Sequence, residues 1–230
     1  MDTLFQWNAI EPWLPYLAKG LGVTVLLALL AATFGLMLGI LLAVLRHQEK
    51  TAWITKAYVD VFRGTPLLLQ LSIIYFSVPQ IVNRVMQDLL GWDVKMVLAG
   101  MVAATITFSL NSGAYLSEII RSGIQSVDAG EVEAAKALGV SRYHTFKDIV
   151  FPIAFRNVFP AMMNEFTTLI KESSIVSLIG IQDLMRRQQI VSSQTYMYFE
   201  PLIVVGLIYY VVIKGISWWG LRIERRLAHD

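Results

Sequence analysis

Cysteine is absent from this chain of 230 residues, so no disulfide framework and no thiolate metal site can form. Charge is scarce as well. Asp, Glu, Lys and Arg make up 16% of the residues, where a soluble domain has roughly 25%. Histidine occurs three times, as His47, His144 and His229, with no metal-ligand spacing and no carboxylate cluster beside it. No Gly-Lys dipeptide occurs anywhere, which excludes a Walker A phosphate loop. The chain is therefore not read as an enzyme, and ATP-driven work would need a second chain to hold ATP and Mg. A net charge of +2 is too small to point to nucleic acid. The N-terminus carries Asp2 and Glu11 in place of a basic region, unlike a cleaved signal peptide.

Apolar residues fill the space that charge leaves. They make up 56% of the chain, and the mean hydropathy is +0.57. They are also clustered: 20–45, 64–83 and 96–117 contain no charge at all. A helix needs about 20 apolar residues to cross the hydrocarbon core, so each run is long enough. Two further spans are less clean. The stretch 149–180 is apolar apart from Arg156, Glu165, Lys171 and Glu172, and 197–219 ends in Lys214 and the Trp218–Trp219 pair. Lysine there can snorkel while tryptophan anchors at the interface. The expectation is an all-α integral membrane protein of one domain, 1–230, with five spans near 21–45, 64–82, 96–119, 149–180 and 197–219. Residues 4–18 add a short interfacial helix, made irregular by Pro12 and Pro15. Gly35 and Gly39 are spaced for close helix packing. Thr65 and Pro66 read as the cap and first residue of the second span.

Basic residues orient the spans. With the N-terminus outside, 13 Lys and Arg fall on the cytoplasmic side and 5 on the outer side, counting Arg186 and Arg187 as solvated charges of an outer loop. That bias predicts N-outside and C-inside. The loop 124–148 is then cytoplasmic. Within it, Asp128 is placed to cap a helix, Glu131 completes a box-like arrangement, and Gly139 suits a left-handed C-cap. The alanines between favour helix. Only about ten residues long, such a helix is marginal alone and needs something to pack on.

Several segments carry a family resemblance. Glu133-Ala134-Ala135-x3-Gly139, followed by Ile149, Phe151 and Pro152, resembles the EAA loop of ABC-importer permeases. Val61 to Gln70 resembles the "RGTPLL" opening of the second span in polar amino acid permeases. Gly113-Ala114-Tyr115 through Glu118 and Arg121 to Ile124 resembles their "GAY…E-x-x-R-x-G-I" segment. Phe159-Pro160, Asn164-Glu165-Phe166 and Leu169 to Ser174 resemble "LP…N-E-F…L-I-K-D-T-S". The matches run in family order from about residue 55 to 180. Departures such as Phe151-Pro152-Ile153-Ala154 for Leu-Pro-Gln-Ala, and Lys171-Glu172-Ser173-Ser174 for Lys-Asp-Thr-Ser, keep chemical character.

The resemblance implies a multi-pass permease subunit of a bacterial inner membrane, importing polar amino acids. It implies pairing with itself or a homologous permease, two ABC ATPase subunits that bind ATP and Mg, and an external substrate-binding protein. Gly130, Glu131, Glu133, Ala134, Ala135 and Gly139 would then form the helix that couples to the ATPase. Lys171, Glu172, Ser173 and Ser174 would mark an outer gate.

The membrane interior offers a second set. Glu165 falls near the middle of the fourth span, where an unpaired carboxylate is expensive. Asn164, Thr168 and Lys171 share a face beside it, and Asn111, Ser112 and Tyr115 give the third span a polar stripe. A zwitterion needs an acceptor for its ammonium and donors for its carboxylate. Glu165 can accept, and Asn111 and Ser112 can donate. Two readings stand beside this one: Asn and Ser as interhelical glue, and a Glu165–Lys171 ion pair. An ion-gradient-driven transporter or channel is the alternative from another class.

Overall fold

The computed structural model describes residues 5–93 and 95–229. Asp2 lies outside them. All regular elements among the described residues are helical. Helix α1, Leu14–Arg46, is built from the uncharged run and begins earlier than the expected span. A turn at Trp7–Ile10 and a 3-10 turn at Glu11–Trp13 lead into it. Pro12 and Pro15 sit in these first turns, where a missing N–H costs nothing. The expected surface helix over 4–18 is not what forms. Ile10 and Leu17 are fully buried, in a cluster with Leu184, Val191, Val204 and Val205.

The second expected span contains an elbow. Helix α2, Glu49–Gly64, and helix α3, Leu67–Leu90, are bent by 103° at the break between them. Pro66 causes the break: it forces Thr65 into extended backbone, at φ −121° and ψ 146°. Pro66 is thus the residue before the helix and not its first turn. The Thr65 hydroxyl does not cap α3; it donates back to the Val61 carbonyl at 2.8 Å. Inside α3 a π-helical turn at Ile73–Ser77 immediately precedes Pro79. The wider turn relieves the clash of the proline ring with the preceding carbonyl. The helix runs well past the expected end near residue 82.

Helix α4, Gly100–Gln125, packs along α1. A Cβ on Gly39 would lie 2.8 Å from the Leu116 Cβ, and one on Gly35 would lie 3.0 Å from the Ser112 Cβ. The small residues therefore let two backbones of the same chain approach. Helix α5, Ala129–Ala137, follows on the expected loop. Helix α6, Phe151–Glu172, is preceded by a turn at Arg142–His144 and a π-helical segment at Thr145–Val150, just before Pro152. It tightens into a 3-10 helix, Ser173–Ile179, that ends at Gly180 with φ +82°.

The outer loop expected after the fourth span is instead helix α7, Leu184–Thr195, and helix α8, Phe199–His229, completes the chain. By length and apolarity, Trp7–Arg46 and Phe199–Leu227 can each cross a membrane, and the bent α2–α3 pair makes a third candidate. Helices α4 and α6 are long enough but carry more polar side chains.

Candidate functional site

The polar residues expected to converge separate into four places. Asn111 is buried on α4, and its amide donates to the Phe62 carbonyl at 3.1 Å and to the Gln70 side chain at 3.0 Å. Gln70 in turn donates to the Phe62 carbonyl at 2.8 Å and to the Thr65 carbonyl at 3.0 Å. The elbow frees these carbonyls, and the two amides satisfy them, as backbone acceptors shut off from water require. Both Asn111 amide hydrogens are therefore committed to the elbow, and the reading of interhelical glue describes this residue. Asn164 is exposed and lines a groove of about 230 Å³ against α8, with Met163, Ser217 and Glu224.

Glu165, Ser112 and Thr168 remain together on the α4–α6 contact. The Glu165 carboxylate approaches the Ser112 hydroxyl. The two do not close a hydrogen bond, and Ser112 Oγ is fully buried without a partner, as is Ser109 Oγ one turn away. Such orphaned hydroxyls are uncommon in a packed interior. Thr168, three residues after Glu165, is half-buried on the same side of α6. No Glu165–Lys171 ion pair forms among the described residues; Lys171 is exposed.

Tyr115 belongs to a cavity nearer the coupling loop, of about 460 Å³. The Arg63 guanidinium lies 5.1 Å from its ring centre. Glu118 in the same wall receives Arg46 from α1 and, at 2.7 Å, Arg121 from its own helix. The sequence alone gives Arg46 no role beyond its charge and places Arg63 and Arg121 only in family motifs. Their common partner, Glu118, is far from Arg46 in the chain, and only the packing of α1 on α4 joins them.

Helix α5 forms over nine residues. The Asp128 carboxylate caps it by accepting from the Gly130 amide at 2.7 Å. Glu131 makes no reciprocal bond, so the capping box is half-formed. Gly139 takes φ +75°, and the Val140 amide reaches back to the Ala135 carbonyl at 3.0 Å. That is a Schellman ending, which only glycine adopts without strain. Of the whole helix only Ala135 is buried. Glu131, Glu133 and Ala134 stay at least partly open, and Leu138 is 83% exposed.

At the other end of α6 the four gate residues part company. Lys171 is exposed and Glu172 half-buried, whereas Ser173 is fully buried and donates to the Ile170 carbonyl at 2.8 Å. Ser174 donates to the Lys171 carbonyl at 2.9 Å. These back-bonds coincide with the switch to 3-10 geometry. Next comes Asp183, fully buried, accepting from the Arg186 amide at 2.8 Å and the Met185 amide at 3.2 Å. Burial pushes its carboxyl up to about 6, against the pull of those two amides. The neighbouring arginines are not free in solvent. Arg187 lies 4.4 Å from the Tyr16 ring centre and donates to the Tyr16 carbonyl at 3.2 Å; Arg186 donates to Gln189. A cap residue at Asp183 before Leu184 was the signal that could have revealed α7.

The family model described as "Binding-protein-dependent transport system inner membrane component" matches residues 35–229. The chain belongs to that family. It is 44% identical, over 98% of each chain, to the arginine transport system permease protein ArtQ of Bacillus subtilis (strain 168). It is 34% identical to the glutamate/aspartate import permease protein GltK of Escherichia coli O6:H1, covering 97% of this chain and 99% of that protein. The crystal structure of an amino acid ABC transporter with histidines superposes with a TM-score of 0.87 at 35% identity, covering 97% of this chain and all of that one. An inward-facing MetNI methionine ABC transporter shares the fold, with a TM-score of 0.72 at 19% identity. This family supplies the membrane part of an ABC importer, and ATP hydrolysis belongs to a separate subunit.

Proposed function

We propose that this chain is the translocating subunit of an ABC importer for polar amino acids. The observation that carries this reading is the near full-length match, in sequence and in fold, to a permease of an amino acid ABC transporter. In this reading residues 1–230 form one transmembrane domain with five spans, N-terminus outside and C-terminus in the cytoplasm. The spans are α1, α3 with its elbow, α4, α6 and α8. Two chains, identical or homologous, pair over two ATPase subunits that hold ATP and Mg. An external binding protein delivers the substrate.

Helix α5 is the part the ATPase grips. Support comes from its caps at both ends and from a body that its own domain leaves almost bare. Gly130, Glu131, Glu133, Ala134, Ala135 and Gly139 shape it, and Leu138 offers the apolar knob. Glu165 accepts the ammonium of the amino acid, with Ser112 and Thr168 as hydroxyl partners and Tyr115 further along toward the coupling loop. Asn111 serves the site from behind by holding the elbow. The buried Ser112 hydroxyl without a partner supports a polar ligand there, because leaving it unmet costs about 1–3 kcal/mol. Lys171, Glu172, Ser173 and Ser174 form the outer gate at the 3-10 junction.

The test is reconstitution. The chain is co-expressed with an ABC ATPase subunit and placed in proteoliposomes with a binding protein. ATP-dependent uptake of an amino acid is expected. Uptake that follows an ion gradient and ignores ATP would replace this reading with the secondary-transporter one.

A further inference from the structure

Helix α2 divides into three faces, and each has a different surrounding. Thr55 and Val59 are buried, and the Tyr58 hydroxyl beside them donates to the Leu110 carbonyl of α4 at 2.7 Å. This face is pinned to the helix bundle. A second face is apolar and open: Ile54 is 52% exposed and Val61 58%. A third carries the exposed charges Glu49, Lys56 and Asp60. On a wheel of 3.6 residues per turn the three faces lie roughly a third of a circle apart. With charges on every turn, α2 is unsuited to the hydrocarbon core.

The elbow decides its direction. At 103° to α3, α2 lies nearly flat along the bilayer surface when α3 crosses it. The open apolar face is flanked by other exposed apolar residues, Val44 at the end of α1 and Leu68 and Leu69 at the start of α3. It therefore continues the lipid-facing surface of the spans. Lys50 lies on the same face, one turn before Ile54. Its alkyl stem can run along the apolar surface while the ammonium meets a lipid phosphate.

We infer that α2 is a membrane-surface helix of the cytoplasm-facing leaflet, with Ile54 and Val61 inserted among lipid headgroups and Glu49, Lys56 and Asp60 in water. The partner is the lipid surface itself, with its phosphates facing Lys50. The inference rests on the five-span reading above. It assigns α2 the task of seating the elbow at a set depth, so that the Asn111–Gln70 bonds at its corner are held from both sides.

The absence of cysteine makes the test clean. Single substitutions Ile54→Cys, Val61→Cys and Lys56→Cys are spin-labelled in the permease–ATPase complex, in vesicles of phosphatidylcholine and phosphatidylglycerol. Collision with dissolved oxygen and with a water-soluble nickel chelate is compared at each. Labels at 54 and 61 should favour oxygen several-fold over the label at 56, which should favour nickel. Equal nickel access at all three would place the face in water and overturn the inference. Exclusion of both reagents at 54 and 61 would put a protein partner there and overturn it too. A fourth label, Val211→Cys on the exposed side of α8, checks the reading beneath it. If that label is also open to nickel, the spanning assignment fails and not merely the placement of α2.

Discussion

Two short helices connect longer ones in this chain, and they differ in what they bury. Helix α7 turns Leu184, Gln188, Val191 and Ser192 inward, rests on an invading glycine, and is strapped down by Arg187. Gly20 approaches so closely that a Cβ there would lie 2.8 Å from the Asp183 carbonyl oxygen and 2.9 Å from the Leu184 Cα. Helix α5 buries only Ala135, yet it is capped at both ends. One connector is completed by its own domain. The other is held in shape by local caps and keeps its surface open. The difference teaches that capping and burial are alternative ways to hold a short helix, since a nine-residue helix is marginal without tertiary contacts.

The sharpest way to break the comparison is at Gly139. Proline cannot adopt φ +75°, so Gly139→Pro should abolish ATP-dependent uptake and ATPase association while the melting temperature barely moves. Normal uptake by this variant would detach α5 from coupling. Next in size is Glu165→Gln, which keeps shape and removes charge. It should lower substrate-dependent uptake roughly ten- to hundredfold, the equivalent of about 1.5–3 kcal/mol for a charge-assisted bond. Basal ATP hydrolysis should persist, and unchanged uptake at full expression would remove Glu165 from the site.

At α7 the expected pattern is the reverse. Gly20→Ala drives a methyl into backbone atoms and should cost about 1–3 kcal/mol, read as a lower melting temperature with uptake per folded molecule retained. A stable variant would show that α7 can shift as α5 can. Asp183→Asn gives an effect of similar size, confined to a pH window. The folded carboxyl is raised to about 6 from an ordinary value near 3.8, so the folded state holds the proton more tightly. Stability from this group is complete below pH ~4 and is lost as pH rises through 6. Asparagine keeps the cap without the charge. The variant should melt higher than the parent at pH 7, by about 1–3 kcal/mol, and lose the slope between pH 4 and 6. An unchanged slope would mean that Asp183 is not the titrating group.

Local signals explain which features could be read in advance. The uncharged runs located α1 and α4, and Asp128 with Gly139 marked α5 within a residue or two. Pro66 marked the right place but was assigned the wrong role, because a proline that opens a helix and one that bends the chain look alike in sequence. Residues 4–18 were placed on the surface because apolar spacing shows that a face is buried, not against what. Helix α7 went unread because its inward face mixes Gln188 and Ser192 with Leu184 and Val191, which leaves no apolar stripe.

By itself the sequence determined the class of molecule, the location of its long apolar helices, the Asp128 and Gly139 caps of α5 and the family motifs. These depend on neighbours within a few residues, where composition and spacing decide the outcome. The tertiary structure alone decided that Asn111 braces an elbow 49 residues away. It also decided that Glu118 gathers arginines from two helices, that Asn164 lies in a groove against α8, and that Arg187 locks α7 to α1. Each of those facts depends on which helix faces meet. The helices meet where small residues let backbones approach and where freed carbonyls find donors, and both conditions are met only once the chain has packed.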